Sequence, residues 1–142
     1  MNRVKLRNQP QLATSSDRLT RQIYGLRGAT TVECNTAPAI AQAVEELLNA
    51  LEAKNPTVPQ GIISVIFSVT PDLDAIFPAA IARQRPGWSQ IPLLDVQHMT
   101  VSDSLERCIR VLIHLDLTLS QNLYPVYLRQ AAQLRPDLAH PD

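Results

Sequence analysis

Residues 105–115, LERCIRVLIHL, form an apolar run with Arg110 set in its middle. The run is short and rich in β-branched residues, which suits a strand. Strand alternation puts Cys108, Arg110, Leu112 and His114 on one face and Ile109, Val111, Ile113 and Leu115 on the other. A guanidinium does not shed its proton, so one carried on a mostly apolar strand must find an anion. That anion is either a carboxylate of the fold, in a structural ion pair, or a bound ligand. The run by itself leaves both open.

The rest of the chain supplies partners for such a strand. Residues 22–29, QIYGLRGA, are extended in character, with Arg27 between Gly25 and Gly28, which allow close backbone approach. Residues 36–55 read as the long helix. Thr36 can cap it, Pro38 sits in its first turn, and Ile40, Ala43, Val44, Leu47, Leu48 and Leu51 repeat at helical spacing. The pair Asn55-Pro56 ends it. Residues 61–69, GIISVIFSV, are nearly continuous in apolar and β-branched residues, the pattern of a strand buried on both faces. A short helical segment follows within 73–85 after Pro78, stopped by Pro86-Gly87. Residues 91–99 form a third strand with Asp95 and His98 as its polar members, and residues 121–129 a last one. Five strands with one long and one short helix predict an α+β domain built on a single sheet.

The length of 142 residues, 45% of them hydrophobic, allows one domain with a real core. Basic and acidic residues balance at 13 each, which lends no support to a nucleic-acid partner or a membrane-surface role. No apolar run approaches the ~20 residues of a bilayer span, and no secretory signal opens the chain, so a cytoplasmic, soluble protein is expected. Residues 1–21 are polar and basic without periodicity and read as a disordered extension; residues 139–142 read as a tail. The domain is expected over 22–138.

Cys34 and Cys108 stand apart, with no histidine or cysteine cluster nearby, which argues against a disulfide framework or a zinc site. No motif presents Cys108 as a nucleophile, and a buried structural thiol suits it better. His98, His114 and His140 fall on different segments without metal-ligand spacing. All the basic residues except Lys5 and Lys54 are arginine, the side chain fitted to bidentate grip on carboxylates. Arg27, Arg83, Arg110 and Arg135 lie at or near strand and helix ends, where Tyr127 and Asp95 could join them. Converging arginines would suit a ligand with two carboxylates. Such a site needs no nucleophile if the reaction is unimolecular: it holds a reactive conformer and places a cation where negative charge develops. The alternative is that each arginine rests in its own surface ion pair.

Six segments in register resemble one known family: residues 25–33 (GLRGATTVE), 68–73 (SVTPDL), 77–79 (FPA), 108–111 (CIRV), 126–128 (VYL) and 134–138 (LRPDL). The chain is similar to the trimeric, monofunctional bacterial chorismate mutases from about Tyr24 to Leu138. The resemblance implies a mixed five-stranded sheet with helices on one side, packed as a homotrimeric pseudo-barrel with interfacial active sites. It also implies the Claisen rearrangement of chorismate to prephenate, in phenylalanine and tyrosine biosynthesis, without cofactor or metal. On this resemblance Arg110 contacts the breaking ether oxygen, Arg27 grips a substrate carboxylate and Tyr127 hydrogen-bonds in the same pocket. Phe77, Ala79, Leu93 and Leu94 form apolar walls, and Arg83, Leu134 and Arg135 belong to the rim and C-terminal flap.

Three positions depart from the family pattern. His98 stands where well-known members have a glutamate that binds the substrate hydroxyl, Asp95 where they have a cysteine, and Ala80 where some have a lysine. Asp95 is expected to supply the missing carboxylate, with a neutral His98 as the other candidate for the hydroxyl. Two further readings are a trimeric dicarboxylate binder without turnover, on the same scaffold, and a reactive-imine deaminase. The C-terminal LRPDL and the setting of Arg110 fit the mutase better than the deaminase.

Overall fold

The computed structural model describes residues 21–118 and 122–139. The expected basic extension up to residue 20, the start of the last expected strand at Gln121, and His140 with the end of the tail lie outside the described residues.

Among the described residues the first element is β1 (Gln22–Thr31), which leads to helix α1 (Ala37–Lys54), strand β2 (Ile62–Val69) and the short helix α2 (Pro78–Ala82). Strands β3 (Leu93–Gln97), β4 (Cys108–Leu117) and β5 (Val126–Tyr127) follow, and helix α3 (Pro136–Ala139) closes the chain. The strands form one mixed sheet in the order β3-β2-β4-β1-β5. β4 runs antiparallel to both β1 and β2, while β3 is parallel to β2 and β5 parallel to β1.

Helix α1 forms where its caps and stripe place it. The Thr36 hydroxyl accepts the Ala39 N–H at 3.2 Å, and Pro38 occupies the first turn, where its missing donor costs little. All six residues of the apolar stripe are buried. They pack on one face of the sheet against Leu26, Val65, Phe67, Ile109, Val111, Ile113 and Leu115, which form a single core cluster with them. Gly28 is needed for this contact. A Cβ there would lie 3.1 Å from both Leu51 Cδ1 and the Val126 carbonyl oxygen, so a side chain would push β1 away from α1 and β5.

Asn55 does more than end the helix. Its side-chain amide donates to Leu51 O and Tyr124 O, both at 2.9 Å, and its Oδ1 accepts the Tyr124 N–H at 2.7 Å. Asn55 is only 4% exposed, and these bonds satisfy its buried amide while pinning the chain just ahead of β5. β5 is then limited to two residues, much shorter than the 121–129 expected.

β2 departs from the sequence expectation of burial on both faces. Val65 and Phe67 are buried, but Ile62, Ser64, Ile66 and Ser68 are half-buried and Ile63 is exposed. The reason lies in the layering: the helices cover one face of the sheet, and in the single chain the other stays open. Ile23, Leu94 and Leu112, on that open face, are 66%, 56% and 40% exposed. Leu94 and Leu112 flank Ile66 of β2 on this face and Ile23 lies further along it opposite Asp116, and exposed apolar side chains on one face mark a contact surface.

Candidate active site

The alternation read for the Arg110 strand holds over β4. Ile109, Val111, Ile113 and Leu115 face the core, and Arg110 and Leu112 are exposed. The register then decides what surrounds Arg110. Ala29 of β1 lies opposite it on one side and Ser68 of β2 on the other, while Arg27 pairs with Leu112 one step along the same face. Ala29 pairs in turn with Tyr127 of β5. Arg27, Arg110 and Tyr127 therefore share a face because of two strand registers, β1 with β4 and β1 with β5, neither of which is visible as sequence spacing.

Together with Ser68, Leu134 and Arg135 these residues line a cleft of about 420 Å³. Arg135 is already engaged, with Nη2 2.9 Å from the Asp137 carboxylate. Arg27 and Arg110 are not: among the described residues no carboxylate lies within 4 Å of either. The structural ion pair left open by the sequence is therefore not formed by Arg110 within the described chain. Its guanidinium lies beside the Cys108 thiol. Burial pushes that thiol up against the pull of the cation, which leaves it protonated and inert.

The other expected residues gather elsewhere. Phe77, Arg83, Leu93, Leu94 and Asp95 line a second hollow of about 310 Å³ between α2 and the β3 edge, to which Ala80 also contributes. β2 separates this edge from β4, so the two hollows do not merge within one chain. Arg83, like Arg110, has no carboxylate within 4 Å among the described residues. Ala79 joins neither group; its side chain is buried in the core, and its N–H donates to Asp95 Oδ1 at 3.0 Å. A further hollow, of about 540 Å³, is lined mainly by apolar residues such as Leu73, Ile76 and Phe77 and carries no cation.

Asp95 and His98 prove to be on different faces. Asp95 pairs with Phe67, so it points to the helix-covered side, where the Ala79 N–H meets it. His98 extends β3 by one residue, its N–H donating to Val69 O at 3.0 Å, and its ring reaches the Ser68 hydroxyl with Nδ1 at 2.8 Å. A single chain therefore cannot exchange Asp95 for His98 beside Arg110; three residues along a strand is an odd step and reverses the face. Burial pushes the Asp95 carboxyl up, opposed by the Ala79 N–H and by Arg83. Burial and the neighbouring Arg110 cation hold His98 below the ordinary imidazole value, so the ring is neutral at neutral pH.

These shifts give a stability prediction for Asp95. Its folded value lies above the ordinary 3.8, so its contribution is fully present below 3.8 and is lost as pH rises through the raised value. Asp95→Asn keeps an oxygen for the Ala79 N–H and removes the charge. The variant is expected to gain stability over the parent chain at pH 7, with the gain disappearing towards pH 3. Urea unfolding at a series of pH values measures this, and a loss of stability at pH 7 would show that the Arg83 attraction outweighs burial.

In the Arg110 cleft, Ser68 and its apolar neighbours Ile66 and Leu112 are lining residues that the sequence did not mark as site members. Ser68 had a faint signal, a hydroxyl between Phe67 and Val69 in a strand whose other polar member is Ser64.

Residues 23–138 match the model of the family described as chorismate mutase type I. The chain is 46% identical over 118 residues to the chorismate mutase AroH of Thermus thermophilus, covering 82% of this chain and 96% of that protein. It is 40% identical over 118 residues to the chorismate mutase AroH of Bacillus subtilis (strain 168), covering 82% and 93%. Among solved structures, a chorismate mutase from Clostridium thermocellum superposes with a TM-score of 0.70 at 41% identity, over 78% of this chain and 98% of that one. Two arginines that face one cleft on a mixed five-stranded sheet, with no carboxylate within 4 Å among the described residues, thus occur in a chain that belongs to the chorismate mutase type I family.

Proposed function

We propose that the protein rearranges chorismate to prephenate as a homotrimer, each active site being completed by two chains. The observation that carries the chemistry is the pair Arg27 and Arg110, which share one cleft with no carboxylate within 4 Å among the described residues. Chorismate carries two carboxylates and an ether oxygen. In the rearrangement the ether C–O bond breaks as a new C–C bond forms; no atom enters or leaves, and no nucleophile or cofactor is needed. Negative charge grows on the ether oxygen, and Arg110 is the cation set to meet it. Arg27 grips a carboxylate, Tyr127 adds a hydrogen bond, and Leu134 and Arg135 close the rim.

The trimer rests on two features. The open sheet face presents Ile23, Leu94 and Leu112 to solvent, and the second hollow holds Phe77, Leu93, Arg83 and Asp95 at the far edge of the same sheet. A neighbouring chain brings that edge to the Arg110 cleft, so that its Phe77 and Leu94 wall the substrate ring into the folded conformer and its Arg83 and Asp95 reach the polar groups. Ala79 then acts through its backbone, by holding Asp95.

No helix among the described residues is long and apolar enough to cross a membrane. The dicarboxylate-binder and imine-deaminase readings draw no support from the relatives named above. The deciding experiment follows loss of chorismate and appearance of prephenate, with the mass measured by light scattering in the same sample. Saturable conversion at the mass of three chains is the expected result. Saturable binding without prephenate would overturn the mutase reading, and conversion at the mass of one chain would overturn the shared site.

A further inference from the structure

His98 is held by a contact that its own strand does not supply. Ser68 faces the Arg110 cleft and places its hydroxyl 2.8 Å from His98 Nδ1. No other side-chain bond to the His98 ring occurs among the described residues, so Nε2 is the nitrogen left for a ligand. A neutral imidazole has one N–H and one bare nitrogen, and the bond made by one decides what the other can do. If Nδ1 carries the proton, it donates to Ser68 and Nε2 becomes an acceptor. If Nε2 carries it, the ligand meets a donor instead.

We propose that Ser68 is a positioning residue which selects the Nδ1–H form of His98, leaving Nε2 as the acceptor for the hydroxyl of the substrate. This rests on the mutase reading, and it assigns to the Ser68–His98 pair the accepting role of a carboxylate at this position. The surroundings favour the same form. The Ser68 main chain draws the ring value upward, as an acceptor of a ring N–H does, while Asp72 at the turn after β2 raises it by charge alone and favours neither neutral form. Arg110 from β4 opposes a second proton, which would destroy the acceptor.

Protonating Nε2 removes the acceptor, so kcat/KM is expected to fall as pH drops through the His98 value, below the ordinary 6.5. Ser68→Ala should lower kcat/KM by about tenfold and move that acid limb to still lower pH, because the protonated ring loses an acceptor too. Ser68→Val should behave as Ser68→Ala does, and Ser68→Thr should restore most of the loss. The direct readout is the ¹⁵N chemical shift of the two ring nitrogens in the wild-type protein, assigned by comparison with His98→Ala. A protonated Nδ1 and a bare Nε2 are expected. An Nε2–H ring in the wild type, or an unchanged pH profile in folded Ser68→Ala, overturns the proposal. The ring measurement stands even if the Ser68 variants fail to assemble. Failure of the mutase reading is seen separately, as a wild-type protein that forms no prephenate.

Discussion

Arg110→Ala is expected to lower kcat and kcat/KM together by about a thousandfold or more, equivalent to about 4 kcal/mol of barrier. The direction follows from where the charge appears. Substrate carboxylates are present before and after the reaction, and on the proposed reading Arg27 binds one throughout, so losing Arg27 would weaken ground and transition states alike. The charge on the ether oxygen is largest midway, and a cation placed there acts on the barrier alone. Arg110→Lys should recover only part of the rate, since an ammonium is a point charge and does not present the planar fork of a guanidinium. Folding should be little affected, because Arg110 is exposed and forms no ion pair with a described carboxylate. Steady-state kinetics beside a thermal melt separates the two effects. Near-wild-type turnover in the alanine variant would remove the assigned mechanism.

Phe67→Ala should do the reverse, destroying stability without touching the ligand. Phe67 is fully buried, 0% exposed, in the centre of β2 between Asp95 of β3 and Val111 of β4. It faces the helices, so its removal leaves a void under α1 and α2 that the rigid sheet cannot close. Such truncations cost about 3–5 kcal/mol, against a total stability of about 5–15 kcal/mol for a domain. A fall in melting temperature of about 15 °C is expected, readable by circular dichroism or calorimetry. Phe67→Leu should cost far less, about 1.5 kcal/mol. A melt of Phe67→Ala within a few degrees of the parent would mean that the core collapses into the space.

The helix and the strand faces were legible because each is a local pattern. Thr36, Pro38, the stripe from Ile40 to Leu51 and Asn55 announce α1 in one dimension, and the alternation through Arg110 separates its two neighbourhoods. The site was legible only through resemblance, which grouped residues that one chain keeps in two hollows. What stayed hidden depends on register. Asp95 and His98 look like near neighbours in sequence, yet pairing with Phe67 sends Asp95 beneath the helices while His98 meets Ser68. The brevity of β5 was hidden as well, since the Asn55 amide that fixes Tyr124 acts from 69 residues away. Local patterning also overstated the burial of β2, because an apolar strand does not reveal whether its second cover comes from the same chain.

That uncovered face has a thermodynamic meaning. In the proposed trimer the second layer of the sheet is another copy, so association would enter the folding equilibrium and mass action would make the melting temperature climb with chain concentration. Dilution would then act as a denaturant. The same step that strips Leu112 and Leu94 of their cover would part Arg110 from the Arg83 of its neighbour, so the loss of catalysis and the loss of structure on dilution would be a single event.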